Sequence, residues 1–257
     1  SMFADIKNHL YTYRLDERSQ ELFNIYFGEE SDLRKVELAK PSRIISKEII
    51  AEQERTMIIS FSDYLEQDVN EYQKDNLKRK LDHVIDGCNE SERKIYSGIL
   101  QLMKPKTKYK VEKIAGPISD TQNYHHGGAS LQQSIQGKAF VTVGGNQLPM
   151  LVPVSMLGSR VCGGKKAAAP RYTDVLLNHR ITRLVFPAED YPTLEFNFDD
   201  GQRSEPKYFI PLVPLAILES SSLPGHGWKL RKFARDMASV ITNIRRMIHY
   251  GDDVLLF

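Results

Sequence analysis

The sequence predicts an α+β chain organised around a winged-helix (helix-turn-helix) core, and three observations carry that reading. Between residues 89 and 140, three helical stretches follow one another through tight turns. Behind them come Val141-Thr142-Val143, the turn Gly144-Gly145 and Leu148 to Val154, short strand patterns that read as wings. On either side lie further stretches with a 3.6-residue apolar period, which predict flanking helices.

Taken in order, residues 1–58 read as helices polar on one face. Leu22, Phe23 and Tyr26 belong to one, Leu33, Val36 and Leu38 to the next, with Gly28 between them. Such helices suit a connector better than a core. Met57 to Phe61 is a short apolar run, and a boundary is placed near residue 59. Asp63 to Asn76 predicts another helix, followed by Lys78-Arg79-Lys80 and a turn at Asp86-Gly87. Asn89 and Glu92 have capping-box spacing for a helix that puts Ile95, Ile99, Leu102 and Met103 on one face and ends before Pro105. Val111 to Ile118 reads as a short apolar segment broken by Gly116-Pro117. The helix from Ser130 to Phe140, which carries Lys138, is the one expected to enter a DNA groove. Beyond 184 a sheet is expected, because Leu194, Phe196 and Phe198 alternate with polar residues before the hairpin signal Asp200-Gly201. Arg235 to Tyr250 predicts a last helix, stopped by Gly251.

Composition narrows the function classes. In 257 residues, 41% are hydrophobic and 26% charged, enough apolar material for a sizeable core. The longest apolar run, Phe209 to Leu218, holds two prolines and falls well short of the roughly 20 residues of a membrane span. Cys88 and Cys162 alone build neither a disulfide framework nor a cysteine-rich zinc site, and a reducing compartment fits. Net charge is only +2, so the distribution of charge decides. Six basic residues stand against Asp174 alone between Gly158 and Arg183, and five lysines against Glu112 between Lys104 and Lys113. Clusters of this kind hold phosphates by releasing condensed counterions; the competing reading is a pair of solvated loops.

Other chemistries fit less well. Gly158 to Lys165 lacks the Gly-Lys-Ser/Thr of a nucleotide loop. The adjacent His125 and His126 have no ligand at metal-site spacing. Tyr172 follows Arg171 in a basic loop, where a phenol would meet the phosphate that the cations gather; a guanidinium there would stabilise developing charge. Taken alone, such a pair is most often structural.

The order of motifs changes that weighting. Tyr124-His125-His126-Gly127, then Gly163-Gly164-Lys165, then Ala169-Pro170-Arg171-Tyr172 resembles the cleavage core of type IIA DNA topoisomerases. Downstream, Leu184-Val185-Phe186-Pro187, Asp199 to Pro206, Gly225-His226-Gly227-Trp228 and Asn243-Ile244-Arg245-Arg246 resemble the eukaryotic and large-DNA-virus branch. The resemblance implies that Tyr172 is the nucleophile, that Arg171 stabilises the transition state and that His126 aids proton loss. Arg93, Lys94, His125, Lys138, Arg160 and Lys165 would contact DNA, and Pro224 would wedge into a base step where relatives commonly carry Ile.

It further implies three parts: residues 1–58 as the tail of an acidic metal-binding domain, 59–183 as the winged-helix domain, and 184–257 as the start of an α/β tower domain. Double-stranded DNA and a second copy of the chain are the implied partners. Mg2+ and ATP are the implied cofactors, both bound elsewhere in a longer enzyme, with no metal held by this segment. The location would be the nucleus for a cellular protein and the host cytoplasm for a viral one. Gly128, in place of the usual Glu, and Lys166, in place of the usual Asp, depart from the pattern. The competing readings are a non-catalytic winged-helix DNA-binding module and an interaction scaffold.

Overall fold

A computed structural model describes residues 10–140, 146–162, 166–199 and 201–251, apart from the side chain of Arg160. The chain divides into two compact units: residues 1–80 with 223–230, and residues 81–222 with 231–257.

In the first unit, strand β1 (Thr12–Arg14) precedes helices α1 (Ser19–Phe27), α2 (Ser31–Ala39) and α3 (Lys47–Thr56). Strand β2 (Ile58–Ser60) pairs parallel with β1. Helices α4 (Phe61–Tyr64) and α5 (Asn70–Lys80) are joined without a break by a π turn, Leu65–Val69. Leu22, Tyr26, Leu38, Leu65 and Val69 bury together, with Phe61, Leu77 and Trp228 packed against them. Asn70 Nδ2 donates to the buried Tyr26 hydroxyl at 2.8 Å. These N-terminal helices therefore own a core and are not a bare connector. The compact unit extends to Lys80, past residue 59, with Leu65 and Val69 packed on Leu22, Tyr26 and Leu38.

The second unit contains the predicted core. Helix α6 (Glu90–Leu102) starts at the expected capping box and buries Ile95 and Ile99 completely. Strand β3 (Lys108–Lys110) leads into α7 (Val111–Thr121), which runs straight through Gly116-Pro117. The expected break is absent. Proline costs the helix one donor, but Gly116 has no Cβ to meet the ring, and Val111, Ile114, Ala115 and Ile118 are buried along the opposite face. Helix α8 (Gly128–Lys138) comes next, starting two residues before Ser130.

The wing residues Val141 to Gly145 lie outside the described residues. Strands β4 (Leu151–Pro153) and β5 (Asp174–Leu177) join β3 in an antiparallel sheet of order β3-β5-β4. Three helices backed by this sheet are consistent with a winged helix.

Where a sheet was expected near 184, helix α9 (His179–Val185) forms, capped by the Asn178 side chain. The predicted hairpin follows as β6 (Phe196–Asp199) and β7 (Gln202–Pro206), with Gly201 at φ +75°. After the short α10 (Leu215–Leu218), strands β8 (Ser221–Gly225) and β9 (Trp228–Lys232) form a second hairpin. Its turn residues, His226 at φ +38° and Gly227 at φ +98°, are both left-handed, as a tight twisted hairpin requires. Helix α11 (Met237–Tyr250) ends at Gly251 in the left-handed conformation, as predicted. Among the described residues no helix is long and apolar enough to cross a membrane.

Candidate nucleic-acid interface

Tyr172 ends a single 3-10 turn, Pro170–Tyr172, which Pro170 opens with its fixed φ. The phenol is 53% exposed, and the Arg171 guanidinium carbon lies 5.0 Å from its ring centre. Both side chains point away from the interior, whereas the backbone that carries them is tied down on two sides. On one side Gln136 Nε2, from the buried face of α8, donates to Ala168 O at 2.9 Å and to Thr173 Oγ1 at 3.0 Å. Thr173 is fully buried; its hydroxyl donates to Pro170 O at 3.1 Å and its carbonyl accepts from Val111 N at 3.0 Å. On the other side Ser155 Oγ lies 3.2 Å from Tyr172 O and accepts from Asp174 N at 3.0 Å. Nothing in the sequence hints at Gln136, Ser155 or Thr173, because, the Thr173–Pro170 bond apart, each bond joins residues far apart in the chain and none of the three belongs to a recognisable motif.

The histidine turn is organised from elsewhere. His126 is exposed and meets the buried Tyr124 ring edge-on, with centres 5.2 Å apart. His125 Nε2 lies 2.5 Å from Asp199 Oδ2 at the end of β6. Asn123 Nδ2 donates to Asp199 O, and the Ser204 hydroxyl sits 2.6 Å from Gln122 O, so the β6–β7 hairpin grips this turn at several points.

Three of the expected DNA contacts are at least partly enclosed and paired with carboxylates. Arg93 is buried and spends its guanidinium on Asp86 at 2.8 Å and on Cys88 O. Lys94 is buried and shared among Glu205, Gln122 O, Asn123 O and Ser204 Oγ. Lys138, half-buried at the end of α8, pairs with Glu92 and lies 5.3 Å from the centre of the Tyr96 ring. Each of the three charges is thus balanced by a carboxylate of this chain, Asp86 and Glu205 being buried and Glu92 half-buried. Burial and the Tyr96 and Glu92 oxygens act in opposite senses on the Lys138 ammonium, and the net effect raises its pKa.

Lys165 lies outside the described residues, as does the side chain of Arg160. The exposed cations are others. Lys104, Lys106, Lys108, Lys110 and Lys113 are all exposed in one lysine-rich stretch, with Lys108 and Lys110 on the same face of β3 and Lys110 3.6 Å from Asp174. Lys166, Arg171, Arg180 and Arg183 are exposed as well. Pro224 is exposed on β8, two residues before the left-handed turn of its hairpin.

Residues 79–256 match the family model of the DNA gyrase/topoisomerase IV A subunit. The chain belongs to that family. It is 36% identical over 250 residues to the DNA topoisomerase 2 of African swine fever virus, an alignment covering 96% of this chain and 21% of the relative. Rat DNA topoisomerase 2-alpha is 33% identical over 193 residues, 75% of this chain and 12% of the relative. Among solved structures, the Plasmodium falciparum topoisomerase II DNA-binding, cleavage and re-ligation domain superposes with a TM-score of 0.79 at 28% identity. That match covers 99% of this chain and 34% of the other. The chain thus spans about a fifth of the length of the viral relatives.

Proposed function

We propose that this chain is the DNA-binding and cleavage segment of an ATP-dependent type II DNA topoisomerase, with Tyr172 as its nucleophile. The observation that carries the reading is an exposed phenol beside the Arg171 guanidinium, on a turn whose backbone is fixed. The phenol loses its proton and its oxygen attacks a DNA phosphorus. As the new P–O bond forms, the bond to the 3′ oxygen breaks, leaving a 5′-phosphotyrosine link and a 3′ hydroxyl that takes up a proton. No water is consumed, so the reverse attack by that hydroxyl restores the strand.

Phenols in general hold their proton at neutral pH, so nucleophilic use calls for help. Arg171 supplies positive charge to the pentacovalent phosphorane, and His126 assists the proton's departure. His125, held by Asp199, contacts the cut strand, and the exposed lysine-rich stretch from Lys104 to Lys113 grips the backbone of the duplex. Pro224 is the apolar wedge that unstacks a base step. In a homodimer two such tyrosines cut opposite strands and let a second duplex through.

Magnesium and ATP belong to other segments of the working enzyme. The test is covalent capture of DNA, in the presence of magnesium and the segments the relatives carry beyond this one, with Tyr172 and with Tyr172→Phe. Adduct is expected only with tyrosine; adduct retained by the phenylalanine variant removes Tyr172 from the mechanism and favours the non-catalytic DNA-binding module.

A further inference from the structure

We infer that Gln136 is a positioning residue for Tyr172: its side-chain amide locks the tyrosine turn to helix α8, so that nucleophile and helix move as one body. The inference rests on the assignment of Tyr172 above, and it concerns a residue that neither touches DNA nor reacts.

The argument begins from the turn itself. A 3-10 turn of one cycle, Pro170–Tyr172, has little stability of its own, and its last two side chains are exposed. Something else must fix it if an attacking oxygen is to be held in line with a phosphorus, since an error of about 1 Å costs on the order of a hundredfold in rate. Gln136 provides two bonds that bracket the turn, one to Ala168 before it and one to Thr173 after it. The second continues inward, because the Thr173 hydroxyl that accepts from Gln136 also donates to Pro170 O. Amide, hydroxyl and carbonyl form one chain of hydrogen bonds, each polarising the next. The amide is largely out of water, at 8% exposure, and Thr173 wholly so, which makes loss of either partner costly and the arrangement specific.

The helix that supplies Gln136 also begins at Gly128, immediately after the histidine turn. One side chain therefore couples the position of the phenol to the helix that directly follows the histidine turn. Lys138, two residues further along, is committed to Glu92, which anchors the end of the same helix in the interior.

The test uses the chain itself, labelled with meta-fluorotyrosine, with the Tyr172 fluorine resonance identified by its disappearance in Tyr172→Phe. In the parent chain a single sharp line is expected, shifting when a short DNA duplex is added. Gln136→Met keeps length and packing but removes both donated bonds. Gln136→Asn keeps the amide but shortens its reach. In both variants the Tyr172 line is expected to broaden or split while the other tyrosine lines keep their positions, and duplex affinity is expected to stay unchanged.

A Tyr172 line that remains sharp and unmoved in Gln136→Met overturns the proposal, since packing without the bonds would then suffice. Disturbance of every tyrosine line in both variants also overturns it, by making Gln136 a general core residue. Failure of the catalytic reading looks different: the parent's Tyr172 line would ignore DNA, whatever the variants do.

Discussion

Charge is visible in a sequence, but its partner is not, and the residues around α6 show the consequence. Arg93 and Lys94 follow a family motif and look like phosphate contacts, yet Asp86 and Glu205 claim them inside the protein. Asp86 is fully buried and also accepts from Phe209 N, so removing its cation leaves a carboxylate stranded. Arg93→Met is therefore expected to lower the unfolding free energy by about 3–5 kcal/mol in urea titration. The salt dependence of DNA binding by the folded protein should not change. Lys108→Ala should do the opposite: no measurable loss of stability, and a drop of about 0.9 in the slope of log affinity against log salt for each phosphate the chain no longer neutralises. Equal effects of the two substitutions on the salt slope would put Arg93 back among the DNA contacts. The adjacency of Arg171 and Tyr172, on which the proposed function rests, is visible in the sequence because neighbours in a turn need no knowledge of the fold, and its weight comes from the order of motifs around it. The groups that hold the turn were not.

At the scale of elements, local signals reported themselves well. The capping box at Asn89, the hairpin at Gly201 and the stop at Gly251 are each written in residues close together in sequence. Helix α7 escaped because the Gly116-Pro117 signal for a break is outweighed by burial on a face that only the folded protein shows. Two substitutions separate these contributions. Pro117 is exposed, so Pro117→Ala loses no packing, restores a donor to the helix and should stabilise the chain by about 1 kcal/mol or more. Gly98 is the reverse case. A Cβ there would lie 2.9 Å from both γ-carbons of the fully buried Ile118, which shows how closely α6 and α7 approach. Gly98→Ala should therefore cost about 1–3 kcal/mol, read as a lower urea midpoint at unchanged slope. A stabilising Gly98→Ala would mean that the helices sit further apart than the structure places them.

For the whole molecule, what the sequence could not show was which distant segments share a core: residues 223–230 group with the N-terminal unit across more than a hundred intervening residues. The same long-range assembly determines how the second unit responds to acid. Glu205 is 1% exposed, and burial alone pushes its carboxyl pKa up. Hydrogen bonds from Ser204, Lys94 and Asn197 more than offset this and hold it below the ordinary 4.5. A carboxylate with a lowered pKa in the folded state stabilises fully above its unfolded value, and that contribution is lost as pH falls through the folded value. The melting temperature should thus be level near neutrality and decline once pH drops below about 4.5. Glu205→Gln keeps the shape but leaves the Lys94 ammonium without its counter-charge. At neutral pH the variant should lose about 3 kcal/mol, or roughly 10 °C. It has no carboxylate to protonate at that position, so its acid decline should be shallower and the two curves should converge as pH falls below the ordinary carboxylate range. Melting curves that run parallel over the whole range would show that the Glu205–Lys94 pair does not control acid stability and would shift attention to Glu92, whose carboxyl is likewise lowered against its burial by Lys138 and the Asn89 amide.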